Sequence, residues 1–161
     1  MDCKERNYGL ITEILAYKEG DLILNIPTTL LKKYVATSDF TIRVVTERPD
    51  PETVITKPVE GLTIPIRPNS AKLSESSAVA RQGSYYTVSI TWDADPDENS
   101  DYQLFDMLVK QHMHLLVTTF GGNKLLIYTN EDGWKFSYED SEGTIKCNLS
   151  IMDPVGIRRL L

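Results

Sequence analysis

The chain contains two histidines, His112 and His114, and their spacing is the first arrangement that could support chemistry. Residues two apart on a strand point to the same face, so both imidazoles could bind one zinc ion. A third ligand would have to come from a residue such as Asp106 or Cys147, and the spacing predicts none. We therefore expect ordinary histidines at a junction between a helix and a strand, and no metal site.

A second arrangement is the acidic loop over residues 93–101, because calcium binds several oxygens on a tight turn. Asp93, Asp95 and Asp97 resemble the start of an EF-hand calcium loop. That motif needs glycine at its sixth position and glutamate at its twelfth, where this chain has Glu98 and Leu104. The EF-hand pattern fails, so the acidic residues remain cation candidates only, and we expect a solvated loop ahead of a helix.

Nucleophilic catalysis requires a serine or cysteine near a histidine and an orienting carboxylate. The sequence has no Gly-x-Ser-x-Gly pattern, and residues 121–124 lack the spacing of a phosphate-binding loop. Cys3 and Cys147 are far apart and predict two free thiols, with Cys147 on the inner face of a strand. We expect no catalytic residues, no cofactor and a protein that is not an enzyme.

Aromatic residues provide the remaining candidates for binding. Trp92, Trp134 and Tyr138 lie on predicted strands. Exposed rings on a sheet bind sugars or partner proteins, whereas buried rings only pack in the core. We name these three residues as candidates for contact with a ligand or a partner, with core packing as the alternative.

Composition argues against two classes of partner. The chain has 161 residues and a net charge of −6, and its longest basic clusters are the pairs at 32–33 and 158–159. Binding to nucleic acid needs a basic surface, so we expect no nucleic-acid partner. No run of about 18 apolar residues occurs, so we expect no membrane partner. The charged N-terminus predicts no secretion signal, and a cytoplasmic or virion-associated location follows.

The elements that must position these residues are mostly strands, because apolar and polar residues alternate along much of the chain. Residues 8–17 and 22–26 predict a hairpin, and the spacing at 28–36 fits a short helix. Further strands are predicted at 40–46, 54–56 and 62–66, with a turn at 48–51. Prolines bound the last two strands and remove backbone donors, which favours positions at the edge of a sheet.

Residues 67–84 interrupt the strand pattern because they are small, polar and rich in serine. They predict a flexible loop, or an arm that orders against a neighbour. The chain is therefore either one domain over 1–161 or two β lobes, 1–66 and 85–161, that this segment joins.

The second half has a clearer pattern. Residues 85–92 predict a strand, and an apolar stripe predicts the main helix at about 101–112. A hairpin over 115–120 and 125–129 and strands at 134–138 and 144–151 complete a predicted four-stranded meander. The fold class is therefore mainly β, within the α+β type, as an antiparallel β-sandwich or barrel with one flanking helix.

From Tyr85 onward the order of elements resembles phage tail-tube and related tail structural proteins. The resemblance rests on the strand 84–92, the helix 101–109, the following hairpin and strands, and the terminal segment 156–161. It implies a β-barrel or sandwich that assembles into rings through sheet edges and loops, without catalysis.

We therefore expect a non-enzymatic structural protein that acts by self-association, as a homo-oligomer or with other structural proteins, of phage or prophage tail origin. The alternative is a module that binds a carbohydrate or small ligand on an aromatic sheet face. An enzyme that uses scattered carboxylates and the two histidines is a third possibility.

Overall fold

A computed structural model of the chain describes residues 4–25, 34–35, 37–80, 83–95, 99–128, 133–153 and 158–160. The described residues form fourteen β-strands and one α-helix, which confirms a mainly β fold with one flanking helix. The elements are β1 (Lys4–Tyr17), β2 (Leu22–Leu24), β3 (Tyr34–Val35), β4 (Phe40–Ile42), β5 (Val44–Asp50), β6 (Thr53–Pro58), β7 (Leu62–Thr63), β8 (Lys72–Ala80), β9 (Gly83–Ala94), α1 (Asn99–Lys110), β10 (His114–Thr119), β11 (Lys124–Ile127), β12 (Trp134–Ser141), β13 (Thr144–Asp153) and β14 (Arg158–Leu160).

Ten strands form one sheet. Nine of them lie side by side in the order β12, β13, β9, β8, β1, β10, β11, β14 and β3, and the tenth, β7, pairs with β1. Neighbours are antiparallel except β14 and β3, which are parallel. The long strand β1 joins two halves of the sheet, because its first part pairs with β8 and its second part with β10. A register shift between Asn7 and Gly9, where Gly9 has a φ of 77°, bends β1 at the join.

One hydrophobic core lies between the two halves of the sheet and the helix. Its residues come from β8, β9 and β13 on one half, from β1, β10 and β11 on the other, and from α1. Phe105 and Leu108 are the fully buried helix residues of this core. Because every layer contributes to the same core, α1 is fixed against the sheet by packing more than by its own propensity.

The half that contains β10 and β11 is buried on both faces. Leu115, Val117 and Ile127 face the main core, whereas Leu116 and Leu126 belong to a second cluster with Leu22. Strands β2 and β4 pair with each other and contribute Leu22, Leu24, Phe40 and Ile42 to this second cluster. Strands covered on both faces have continuous apolar runs, which explains the Leu-Leu-Val and Leu-Leu-Ile sequences of β10 and β11.

The hairpin predicted between residues 8–17 and 22–26 is wrong. A turn does form, since the Asp21 N–H donates to the Lys18 carbonyl at 3.0 Å. However, the end of β1 already pairs with β10 on one edge and with β7 on the other. No edge remains for β2, which therefore pairs with β4.

The loop or arm predicted at residues 67–84 is also wrong for most of its length. Residues 72–80 form β8, which pairs with β1 and β9 near the middle of the sheet. The inward positions of β8 include Leu73 and Glu75, both buried, so the alternation contains one acidic residue where a strand pattern expects an apolar one. Pairing on both edges outweighs this weak local pattern.

Three smaller predictions have mixed outcomes. The short helix near 28–36 falls mostly outside the described residues, and its Tyr34–Val35 part is a strand. The main helix begins and ends two residues earlier than predicted, at Asn99 and Lys110. The order of strands after the helix is confirmed, but they form no meander, because β11 pairs with β14 and β13 pairs with β9.

Candidate functional site

The most exposed element of the described chain is a two-stranded ribbon that β5 and β6 form. Within the described residues, neither strand pairs with any strand other than its partner. Val45 is half-buried, and every other residue of the two strands is exposed. An isolated hairpin is at best marginally stable in water, so contacts within the ribbon and at its base must maintain it.

Asp50 organises the turn at the tip of the ribbon. Its carboxylate accepts a hydrogen bond from the Thr53 hydroxyl at 2.8 Å and another from the Glu52 backbone N–H at 2.9 Å. These bonds, chiefly the one from Thr53, lower the pKa of Asp50 because they favour its ionised form. The tip therefore has a defined conformation whenever Asp50 carries its charge.

The base of the ribbon is attached to the body through Arg43. Its backbone N–H donates to the Asp21 carbonyl at 2.7 Å, and its Nε donates to Asp21 Oδ1 at 2.9 Å. The Val59 N–H donates to the Arg43 carbonyl at 2.8 Å, which closes the ribbon at its base. Because both strands are attached at this point, the ribbon projects from a defined position on the body.

The two faces of the ribbon differ in composition. The register pairs Val44 with Pro58 and Thr46 with Thr56, so these residues share a face. We call it the valine face, and it consists of Val44, Thr46, Arg48, Val54, Thr56 and Pro58. The opposite face consists of Val45, Glu47, Thr53, Ile55 and Lys57, with Lys57 Nζ 3.1 Å from Glu47 Oε1. Val44 and Val54 are 50% and 55% exposed, so the valine face presents apolar surface to solvent.

A second surface is the outer face of β8, β9, β13 and β12, opposite the main core. A shallow depression of about 550 Å³ lies there, which we call the outer trough. Its lining includes Lys72, Thr91, Asp93, Glu139, Lys146 and Asn148. The register places Lys146 between Asp93 and Glu139, so charges of both signs alternate across the strands. This surface is polar and of mixed charge, whereas the valine face of the ribbon carries two exposed valines.

The aromatic candidates lie on the face of the sheet that α1 covers. Trp92 is 3% exposed and stacks on Phe136, with ring centroids 5.7 Å apart. Trp134 is half-buried, and its Nε1–H donates to the Leu108 carbonyl at 2.7 Å. That carbonyl is in the last turn of α1, where backbone acceptors lack partners within the helix. Trp134 therefore caps the end of the helix.

Tyr138, on the same strand as Trp134, also contacts α1. Its hydroxyl donates to Asp106 Oδ1, and its ring centroid lies 5.6 Å from that of Phe105. The hydrogen bond to Asp106, and secondarily burial, raises the pKa of Tyr138 to about 12. Tyr102 donates to Asp140 Oδ1 at 3.1 Å and reinforces the same contact between helix and strand. These aromatic residues position α1 on β12, and Trp92 and Tyr138 also contribute to the lining of the outer trough.

The structure separates the acidic candidates. Asp95 accepts hydrogen bonds from the guanidinium of Arg67, including one from Nε at 3.0 Å. Asp93 lines the outer trough, and Asp97 lies outside the described residues. Within the part of the chain that the structure describes, no three histidine, cysteine, aspartate or glutamate side chains form a cluster suited to a metal ion.

The histidines lie at the predicted junction between α1 and β10. His112 Nε2 is 3.3 Å from Glu19 Oε2, whereas His114 is buried and stacks on Tyr128 with ring centroids 4.0 Å apart. The centroids of the two imidazole rings are 6.2 Å apart, and the rings meet edge to face. Both side chains therefore pack at the end of β1 and β10.

Cys147 lies on the inner face of β13, as its position in the alternation predicted. Burial, with a smaller contribution from the negative charge of Asp93, raises the pKa of the Cys147 thiol to about 12. A nucleophilic cysteine needs a lowered pKa, so this side chain is a packing residue. Cys3 lies outside the described residues.

The sequence analysis located the ribbon but not its importance. Strands at 40–46 and 54–56 and a turn at 48–51 were predicted from alternation and from Pro49 and Pro51. The structure divides the first strand at Arg43 into β4 and β5, and β5 continues to Asp50, so the turn lies later, at 51–52. The register of β5 with β6, which alternation does not give, puts Val44, Thr46, Val54 and Thr56 on one face. What sequence could not show is that no other part of the described chain covers that face, since this depends on the tertiary arrangement.

Comparisons with protein-family models, with curated proteins and with solved structures give no significant match for this chain. The resemblance to tail structural proteins therefore stays a prediction from the order of elements. Among the described residues, no helix is both long and apolar enough to cross a membrane.

Proposed function

We propose that this chain is a non-enzymatic assembly protein that acts by self-association, as a component of a phage or prophage tail. The observation that supports the proposal is the valine face of the ribbon, where Val44 and Val54 are exposed to solvent on an element that has no core of its own. Apolar surface on a projecting element is a common mark of a contact with another protein.

The energetics favour such a contact. Burial of the exposed parts of Val44 and Val54 would contribute about 1 kcal/mol for each side chain. Asp50 and Arg43 already order the ribbon at its tip and base, so little further ordering of the backbone opposes association. The ribbon is therefore preorganised for binding.

The assignment to a tail rests on the order of elements alone. A strand, β9, leads to the helix α1 and then to β10, β11, β12 and β13, in the order that led to the resemblance. Assembly of this kind uses surfaces that project from the body or lie at sheet edges, and the ribbon is the most exposed of these in the described chain.

Sedimentation velocity over a range of protein concentrations tests the proposal. We expect the sedimentation coefficient to rise with concentration for the unchanged chain. Val54→Lys should abolish the rise because it replaces an apolar side chain of the valine face with a second positive charge beside Arg48. Ile55→Lys is the matched control, since Ile55 is the next residue, is also exposed and lies on the opposite face. A monomer at every concentration, or equal effects of both substitutions, would contradict the proposal.

A second candidate function is the binding of a small polar ligand, such as a carbohydrate, and the outer trough is the surface that favours it. The trough presents hydroxyl, amide, amino and carboxylate groups within about 550 Å³, a volume typical of ligand sites. A glycan screen with the unchanged chain tests this candidate, with Asn148→Ala as the control. Binding that Asn148→Ala does not weaken would place the ligand elsewhere.

A further inference from the structure

We infer that the free edge of β12 pairs antiparallel with the same strand of a second copy of this chain, across a two-fold axis. This inference rests on the proposed self-association and adds a second contact to it. In the pair, the ten-stranded sheets of the two copies continue into each other, and each residue of the strand meets a residue of the same strand.

The edge of β12 is long and regular. Strand β12 stands at one end of the sheet, and within the described residues it pairs only with β13. That pairing runs from Trp134 to Ser141 without a shift of register, and the strand contains no proline. Proteins commonly protect the edges of their sheets with short strands, prolines or bulges. The strand at the other end of the sheet, β3, has two residues, whereas β12 has eight and leaves a row of backbone donors and acceptors for another strand.

Space is open beside this edge. A depression of about 470 Å³ is lined by Val109 of α1, on one side of β12, and by Lys135 and Ser137, which point to the other side. Residues from both sides of one strand can line the same depression only where it reaches the edge of that strand. Val109 is also 48% exposed, so a second copy that adds its strand here would cover an apolar side chain.

The charges of β12 favour the same strand of a second copy as the occupant, and they select one register. Lys135 and Glu139 point away from α1, and both are exposed. Neither forms an ion pair with another of the described residues. When Ser137 lies on the two-fold axis, Lys135 of each copy is directly opposite Glu139 of the other. Two ion pairs that neither copy can form alone then join the strands.

Other registers lose this complementarity. An axis between two residues would place the polar face of one copy beside the face of the other that α1 covers. An axis at Phe136 brings no opposite charges together. An axis at Tyr138 would set Phe136 opposite the carboxylate of Asp140, and an axis at Glu139 would set two glutamates opposite each other. With the axis at Ser137, Phe136 lies opposite Tyr138, which is a favourable aromatic pair.

The same register extends a row of alternating charges from one copy to the other. Asp93, Lys146 and Glu139 lie side by side on β9, β13 and β12, so the row ends at the free edge with a negative charge. Lys135 of the second copy becomes the next member of the row. Glu139 then lies between two lysines, and the sign of the charge alternates without a break across the contact.

The edge contact and the ribbon act over different ranges of concentration. Both β12 strands are already ordered by β13 and α1, and pairing adds backbone hydrogen bonds to the two ion pairs, so we expect a tight dimer. The valine face of the ribbon has few side chains and should associate more weakly. An assembly larger than a dimer needs two contacts on each chain, and these two surfaces supply them.

Sedimentation velocity of charge-reversal variants tests the pairing, in a Val54→Lys background that removes the contribution of the ribbon. We expect the Val54→Lys protein to sediment as a dimer at every concentration. Adding Lys135→Glu or Glu139→Lys should give a monomer, because each places like charges opposite each other at two positions. An equal mixture of these two variants should restore the dimer, since every charge then meets its opposite. Lys72→Glu is the matched control: it is exposed on the same outer face, changes the net charge as Lys135→Glu does, and should leave the dimer intact.

A Val54→Lys protein that is a monomer would overturn the edge contact. Dimers that neither reversal dissociates, or a mixture that stays monomeric, would overturn it as well. If the sedimentation coefficient of the unchanged chain still rises with concentration in those cases, the proposed function stands and only this inference fails. If the unchanged chain stays a monomer at every concentration, both fail. A dimer that passes the mixing test, in a chain that shows no rise, would keep the edge contact and refute the role of the ribbon.

Discussion

Two hairpins of this protein, β5–β6 and β12–β13, have similar local structure and opposite surroundings. Strand β12 carries Trp134, Phe136 and Tyr138 on the face that meets α1, and each of these side chains contacts the helix. The ribbon carries Val44 and Val54 on its valine face, and both are about half exposed. Within the described residues, the helix covers the apolar face of one hairpin, and no element covers the valine face of the other.

The comparison teaches how to separate structural residues from candidates for binding. Trp92, Trp134 and Tyr138 have the residue types most common in binding sites, yet Trp92 is buried and Trp134 and Tyr138 donate hydrogen bonds to α1. Val44 and Val54 have ordinary residue types, but the described chain supplies no cover for them. Residue type is therefore a weaker guide to function than whether the fold covers a face.

The largest expected effect on stability concerns the covered hairpin. Phe105→Ala should lower the free energy of unfolding by about 3–5 kcal/mol, because it leaves a cavity where the ring packs on Phe136 and Tyr138. Urea denaturation monitored by tryptophan fluorescence measures the change. Phe120→Ala is the control, since Phe120 is 75% exposed and its removal should leave the midpoint nearly unchanged. Similar losses for both substitutions would show that α1 does not stabilise the sheet.

A smaller effect is expected at the end of the helix. Trp134→Phe keeps an aromatic ring but removes the hydrogen bond to the Leu108 carbonyl, and should cost about 0.5–1.5 kcal/mol. The same denaturation experiment measures the difference. Faster amide exchange in the last turn of α1 should accompany it, and an unchanged last turn would argue against the capping role.

Replacement of the ribbon should change stability least. A short Gly-Gly link from Arg43 to Val59 is feasible, because the Val59 N–H already donates to the Arg43 carbonyl at 2.8 Å. We expect the free energy of unfolding of the body to change by less than about 0.5 kcal/mol, as for surface changes generally. The rise of the sedimentation coefficient with concentration, by contrast, should be lost. A large fall in the free energy of unfolding would show that the ribbon belongs to the structural core.

The most local effect is the response of the ribbon tip to pH. The pKa of Asp50 is lowered in the folded state, so ionised Asp50 stabilises the turn at any pH above the ordinary aspartate pKa. This stabilisation is lost as the pH falls through the lowered pKa of the folded state. NMR of the Glu52 and Thr53 amides should therefore show loss of the turn below about pH 4. Asp50→Asn should remove this dependence, and a pH response that persists in Asp50→Asn would assign it to another group.

The spacing of apolar and polar residues predicted those elements whose buried and exposed faces differ clearly in composition. The mainly β class, the helix and the hairpin of β10 and β11 follow from periodicity, since Leu115, Val117 and Ile127 are buried as apolar runs require. The sequence could not predict β8, because Glu75 occupies an inward position and its backbone is held by two neighbouring strands. It also could not predict the partner of β2, which depends on β7 and β10 occupying both edges of β1.

The candidate site, too, was predictable in its local structure but not in its tertiary contacts. Alternation assigned Val54 and Thr56 to one face of a strand, and prolines marked the turn beside them. Whether α1, β2 or another element would cover that face depends on contacts between residues far apart in the sequence. The exposure of the aromatic candidates depended on the same kind of contact, since only the tertiary structure places α1 against Trp134 and Tyr138.

Hydrogen–deuterium exchange of the ribbon amides, measured at increasing protein concentration, tests most directly whether a second molecule covers the valine face. We expect the amides of β5 and β6 to exchange more slowly as concentration rises, while amides of β12 and β13 keep the same rates. Ribbon amides that exchange at one rate over the whole concentration range would contradict the account.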